Sequence, residues 1–262
     1  MDLGLSGKAC VVTGASRGIG LATARALAAE GASVLLTARG AGALEAAVPS
    51  CGGRASALAL DVTEPDAGER LVAACVERYG AIDVLVNNAG TSAAAGLDEL
   101  TAADWQAQWD LHVMASLRTM SAAAPRMAAA GGGRIVNVGS SSGKRVSLTN
   151  PAYSVTKAAQ MSLSRVFADT YAGAGVLVNA VAPGPVDTEL WLGEGGLAEQ
   201  VAEARGSSPE EVLEAQLGKI PLGRFGTEDE VAAVIVFLCS ERASDVAGAA
   251  WSVDGGSVPL FI

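Results

Sequence analysis

Histidine occurs once in these 262 residues, at His112, and cysteine four times, at Cys10, Cys51, Cys75 and Cys239, widely spaced and without a C-x-x-C pair. Too few ligands remain for a zinc site and no disulfide framework is laid out. The thiols read as small buried apolar side chains, and no metal is expected. Basic residues are scarce too: 18 against 28 acidic ones, for a net charge of −10 and a pI near 4.6. Such a chain is repelled by phosphate backbones and anionic membranes, so neither nucleic acid nor membrane is an expected partner. A small anion is not excluded, because local backbone N–H groups and an arginine or two can oppose the overall field. No apolar run reaches the roughly eighteen residues of a membrane span, and the opening MDLGLSGK lacks the pattern of a secretory leader. A soluble, cytoplasmic chain is expected.

What is plentiful is alanine, which carries much of the 50% hydrophobic content and of the mean hydropathy of +0.34. Short runs rich in valine, isoleucine and leucine recur at Ala9–Thr13, Ser33–Thr37, Ala55–Leu60, Ile82–Val86, Arg134–Val138, Val176–Val181 and Ala249–Val253. Several are continuously apolar, the pattern of strands buried on both faces. Segments with helical spacing lie between them: Leu21–Glu30 before Gly31, Pro65–Tyr79 before Gly80, Thr101–Met127, and Ala152–Tyr171. Thr101-x-x-Asp104 is a capping-box pattern with Asp in place of Glu. The alternation implies an α/β fold with a doubly wound parallel sheet and helices on both faces. No linker divides the chain, so residues 1–262 are expected to form one domain. The stretch 187–223 departs from the alternation, with glycine clusters and an acidic helix-like run, and is expected to be a lid over a ligand.

After the first run comes Thr13-Gly14-Ala15-Ser16-Arg17-Gly18-Ile19-Gly20, opening a helix. Glycines let backbone approach a pyrophosphate closely, and a helix start offers free N–H groups and the positive end of its dipole. Gly14, Ser16, Arg17, Gly18, Ile19 and Gly20 are therefore candidate dinucleotide contacts. The second run ends in Leu36-Thr37-Ala38-Arg39, with arginine and no acid where a carboxylate would hold a ribose 2′-hydroxyl. Arg39 and Arg17 favour a 2′-phosphate, hence NADP(H) over NAD(H).

Tyr153 and Lys157 stand four apart in a helical segment and so share a face. Ser140 follows the run Arg134–Val138, at a strand end where parallel sheets carry ligands. Reducing a ketone requires a hydride to carbon and a proton to oxygen. A phenol can give that proton, a nearby ammonium would lower its pKa, and a serine hydroxyl can steady the charge developing on oxygen.

With these motifs in hand the sequence resembles the short-chain dehydrogenase/reductase family from about Gly7 to Val258. The resemblance rests on Thr13–Gly20, Asp61-Val62, Asn87-Asn88-Ala89-Gly90, Ser140, Tyr153-x-x-x-Lys157, Pro183-Gly184 with Thr188, and Asp254-Gly255-Gly256. It implies a Rossmann-like domain with a seven-stranded sheet and a bound nicotinamide cofactor. Asp61 and Val62 would lie by the adenine, and Asn88, Ala89 and Gly90 would support the cofactor. Pro183, Gly184, Val186 and Thr188 would hold its nicotinamide and pyrophosphate side. Tyr153 and Lys157 would touch it as well, Lys157 through the ribose. The family spacing selects Ser140 among Ser140, Ser141 and Ser142. His112 stands where similar enzymes usually carry an asparagine that holds a water linking the lysine to solvent. It is a candidate relay able to titrate near neutrality, or else a packing residue.

The expected activity is thus an NADP(H)-dependent ketone reductase or secondary-alcohol dehydrogenase. The alternatives are an NAD(H)-dependent alcohol dehydrogenase of the same family and a cofactor-holding regulator without turnover. Leu190, Trp191, Leu192, Leu197 and Leu217 in the lid suggest an apolar substrate. Similar sequences include 3-oxoacyl carrier-protein reductases, steroid dehydrogenases and small-alcohol dehydrogenases, and no basic cluster is evident to dock an acidic carrier. The resemblance also implies a homotetramer built on the two long helices, with Ala122, Ala123, Ala124, Ala158 and Ala159 as small contact faces, plus the last strand. The apolar end Val258–Ile262 is expected to cover a neighbour's site.

Overall fold

Valine- and leucine-rich runs bury both faces here. β1 (Ala9–Thr13), β2 (Ser33–Ala38), β3 (Ala55–Ala59), β4 (Val84–Asn87), β5 (Gly133–Val138), β6 (Val176–Pro183) and β7 (Ala250–Val253) form one sheet of order β3-β2-β1-β4-β5-β6-β7, parallel throughout. The structure is a computed structural model and describes residues 1–259. The expected seven-stranded, doubly wound sheet is present, and the strands match the sequence runs to within one or two residues. β4 alone starts two residues later, at Val84 rather than Ile82, whose buried side chain joins the core with Leu71 and Cys75.

Side-chain alternation splits the core in two. Val12, Leu36, Val86 and Val136 face α1 (Gly18–Ala29), α2 (Ala41–Ala47) and α10 (Glu228–Cys239). Val11, Leu35, Leu85 and Ile135 face α3 (Ala67–Tyr79), α5 (Ala115–Ala129) and α6 (Pro151–Tyr171). Each leucine or isoleucine buried this way stabilises the fold by about 1.5–3 kcal/mol. Among the described residues no helix is long and apolar enough to cross a membrane.

One expected helix is two. α4 (Ala102–Trp109) begins with the foreseen capping box: Thr101 Oγ1 accepts from Asp104 N, and Asp104 Oδ2 accepts from Thr101 N at 2.9 Å. A widened π turn, Asp110–Met114, then joins it to α5 and carries His112. Ala123 and Ala124 of α5 are fully buried within the chain, so these two cannot form the small-residue subunit contact expected of them.

The excursion at 187–223 contains α7 (Glu189–Leu192), α8 (Leu197–Arg205) and α9 (Pro209–Leu217). Its two ends lie side by side: Val186 pairs with Gly226, Gly226 N donates to Pro185 O at 3.0 Å, and Asp187 N donates to Gly226 O at 2.9 Å. Of the apolar terminus, Leu260–Ile262 lies outside the described residues.

Candidate active site

The strand order reverses between β1 and β4, and a cavity of about 1730 Å³ opens over the carboxyl ends of the strands there. Gly14 and Gly18 take φ of +64° and +63°, a region L side chains avoid, and this bends the chain from β1 into α1. No side chain caps α1, whose first N–H groups remain available to an anion. The Thr13 hydroxyl secures the turn to β4 by accepting from Asn88 N at 2.9 Å and Ala89 N at 3.0 Å. Asn88 Nδ2 in turn donates to Thr13 O at 3.0 Å and Gly14 O at 3.1 Å. This part of the cavity, with its positive-φ glycines and uncapped helix start, fits the phosphates of a dinucleotide.

Of the expected cofactor residues, Gly14, Ser16, Arg17, Gly18, Ile19, Arg39, Asp61, Val62, Asn88, Ala89, Gly90, Tyr153, Lys157, Pro183, Gly184, Val186 and Thr188 all line this one cavity. Gly20 does not. It stands behind the turn, where a Cβ would lie 2.3 Å from Gly14 O and 2.4 Å from Asn88 Nδ2, so its contribution is close packing. Arg17 is ion-paired across the opening with Glu189 at the start of the 187–223 excursion. Burial would raise the Asp61 carboxyl, but hydrogen bonds from Thr63 N (2.9 Å) and Oγ1 (2.7 Å), with the Arg39 charge, hold it below the usual range.

α6 brings the chemical groups to the same cavity. Ser140, just beyond β5, accepts from Ser142 N at 3.1 Å and hydrogen-bonds the Tyr153 phenol. The phenol is pushed up from its ordinary pKa by burial, only partly offset by that bond. The expected lowering by Lys157 is not among the influences on this phenol, which burial dominates. Lys157 Nζ, itself lowered by burial to about 7, donates to Val138 O at 2.7 Å and to Gln160 Oε1 at 3.0 Å. It lies 5.7 Å from the centre of the Tyr153 ring.

His112 has no exposed surface and does not line the cavity. Its ring meets that of Tyr153 edge-on at 5.2 Å. Thr156 Oγ1 donates to Tyr153 O at 3.0 Å, so at its 2.9 Å contact with His112 Nδ1 it accepts, which puts the imidazole proton on Nδ1. Nε2 is buried without a hydrogen-bond partner in reach among the described residues, although the Thr91 backbone acts on the ring in the direction of protonation. Burial first, and the Lys157 charge second, drive the imidazole down to about 2. The expected titration near neutrality is thereby overturned: His112 is neutral at any physiological pH. The absence of a side chain at Gly90 makes its room, since a Cβ there would lie 3.1 Å from Nε2 and 3.5 Å from Lys157 Nζ.

The substrate end of the cavity is mixed. Leu190, Trp191 and Leu197 line it from the 187–223 excursion, whereas Leu192 and Leu217 do not. Gln108, Thr149 and Asn150 also line it, and Gln108 Oε1 and Asn150 Oδ1 are buried without partners among the described residues. Sequence reasoning missed these amides, as well as the Thr13 hydroxyl and Gln160. Gln160 had a signal, since residues 153, 157 and 160 fall on one helical face. Gln108 and Asn150 had none, because only the tertiary fold brings them to the cavity.

A family model described as enoyl-(acyl carrier protein) reductase matches residues 14–257. A sorbitol dehydrogenase from Cereibacter sphaeroides is 36% identical, covering 97% of this chain and 98% of that protein. A 3-oxoacyl-[acyl-carrier-protein] reductase from Thermotoga maritima is 35% identical over 97% and 99%. Among solved structures, L-sorbose reductase from Gluconobacter frateurii, complexed with NADPH and L-sorbose, superimposes with a TM-score of 0.92 at 37% identity, covering all of both chains.

Proposed function

The chain belongs to the short-chain dehydrogenase/reductase family of oxidoreductases, and from that premise we propose that it is an NADP(H)-dependent enzyme interconverting a small ketone and its secondary alcohol in the cytoplasm. The observation that carries this reading is a phenol, a hydroxyl and an ammonium, from Tyr153, Ser140 and Lys157, facing one cavity with an uncapped helix start. When bound there, the nicotinamide cofactor supplies or accepts the hydride. Ser140 holds the substrate oxygen and Tyr153 gives it a proton. A phenol held high in pKa is neutral at pH 7, which suits it to donate and so to the reductive direction. Lys157 resupplies the phenol, and His112, buried and held neutral, packs edge-on against the Tyr153 ring and fixes its position.

Arg39, and the lack of an acid at the end of β2, support NADP(H), as does the NADPH bound by the L-sorbose reductase. One observation favours NAD(H): Arg17 is already paired with Glu189. For the substrate, the unpartnered amide oxygens of Gln108 and Asn150 support a hydroxyl-bearing ketone or polyol over the apolar substrate suggested by the lid. The names of the sorbitol and L-sorbose relatives accord with that choice. Half-exposed Val155 and Trp251 and the exposed Val166 support assembly through α6 and β7 into a homotetramer.

The test is NADPH oxidation with a panel of ketoses and aliphatic ketones, beside Tyr153→Phe. The phenylalanine variant should lose roughly 10²–10⁴-fold in turnover. Full activity in that variant would remove the mechanism, and no turnover with any carbonyl would favour the regulator.

A further inference from the structure

Lys157 is not held by the groups on which it acts. Two of its three N–H donors are spent on Val138 O and on the side chain of Gln160, three residues on along the same face of α6. Gln160 is 1% exposed, and both ends of its amide are committed. Nε2 donates to Ser116 Oγ at 2.8 Å, and Ser116 Oγ donates to the His112 carbonyl at 2.8 Å. That sequence of donors leaves no freedom in the amide. Because the Ser116 proton goes to His112 O, Ser116 must accept from Gln160, and the amide oxygen must face the ammonium.

We propose that Gln160 is a positioning residue for proton transfer, its amide oxygen holding the Lys157 ammonium at the end of β5 and its amide nitrogen tying that ammonium to the π turn that carries His112. This rests on the reading that Tyr153 and Lys157 move the proton. The consequence is a pH setting. The titratable groups facing Lys157 are Tyr153 on its own helix and His112 on the π turn, while β5 presents the Val138 carbonyl and the loop after β4 presents Gly90. The phenol stays neutral because burial raises it, and the imidazole stays neutral because burial lowers it. The change of charge near pH 7 therefore belongs to Lys157. A neutral amide oxygen favours the ammonium, an alkyl group does not, and a carboxylate favours it more.

The experiment is a titration of the lysine side-chain NMR resonances in the full-length protein, which has four lysines, with Lys157→Arg used only to identify the signal. Gln160→Leu should move the Lys157 midpoint down by about one pH unit and Gln160→Glu should move it up, in opposite directions from the parent. The alkaline limb of kcat/KM for ketone reduction should follow, so that Gln160→Leu loses up to about tenfold above the midpoint at constant pH. Should the leucine variant not fold, Gln160→Met and Gln160→Glu carry the comparison. Midpoints that stay with the parent, or shift the same way in both variants while the proteins melt cooperatively, would overturn the proposal and leave Gln160 as packing. The readings fail separately: an active Tyr153→Phe would remove the proton-transfer mechanism, whereas the resonance midpoints judge Gln160 without any turnover.

Discussion

An imidazole that the folded chain keeps neutral makes stability depend on pH. His112 titrates near 6.5 in the unfolded chain and at about 2 in the folded one. Between those values the unfolded state binds the extra proton, so stability is intact above about pH 6.5 and is lost as pH falls below it. At pH 5 the loss is about 2 kcal/mol relative to pH 7.5, and His112→Asn should escape it. Urea midpoints of the two proteins at both pH values check this, and equal acid sensitivity would contradict it. The second prediction at this scale concerns Tyr153. Because burial raises the phenol, oxidation of the alcohol, which needs the phenolate, should rise steadily through the alkaline range while reduction does not. That Tyr153 and Lys157 share one helical face at the cavity was legible from their spacing, while Ser140 was picked from three adjacent serines only through the family resemblance. The ionisation of His112 was not, because it depends on burial among α6 and the loop after β4, which no local pattern states.

Among elements, the strand ends carry the site, and the hinge of that arrangement is one hydroxyl. Thr13 Oγ1 receives two backbone N–H groups, from Asn88 and Ala89, that have no other acceptor among the described residues. Thr13→Val keeps the shape and removes the acceptor, at a cost of about 1–3 kcal/mol for each N–H left unpaired. A lower urea midpoint with an unchanged m-value, together with weaker dinucleotide binding, is the expected result. The strands and the helices α1, α3, α4, α5 and α6 could be read from apolar runs and caps, whereas α2 and α10 were not singled out. The π turn could not: one wider turn shifts helical periodicity by a single residue, which a run as alanine-rich as 101–127 does not reveal. The same poverty of side chains made the faces of α5 ambiguous, and Ala123 and Ala124 turned out to serve the chain's own core.

At the scale of the whole molecule, the two halves of the sheet meet where the strand order reverses, and that crevice receives nearly every residue marked as a cofactor contact. The family resemblance foresaw this arrangement because its motifs fall at successive strand ends. The far wall of the cavity was much less legible, since it is assembled from α4, the loop before α6 and the 187–223 excursion. Assembly gives a further prediction: sedimentation should find a tetramer, and Val166→Glu should weaken it if α6 supplies the contact, with a monomer in the parent contradicting the proposal.

The 187–223 excursion leaves and re-enters the fold through adjacent backbone at Val186 and Gly226. A segment whose two ends meet can be exchanged as a cassette, provided its bonds to Ala94 N through Gln200 and to Gly255 O through Leu222 are kept. Transplanting residues 187–225 from a relative with a different substrate should therefore carry over that relative's preference while leaving the chemistry to the recipient, a route by which one scaffold diversifies without being rebuilt.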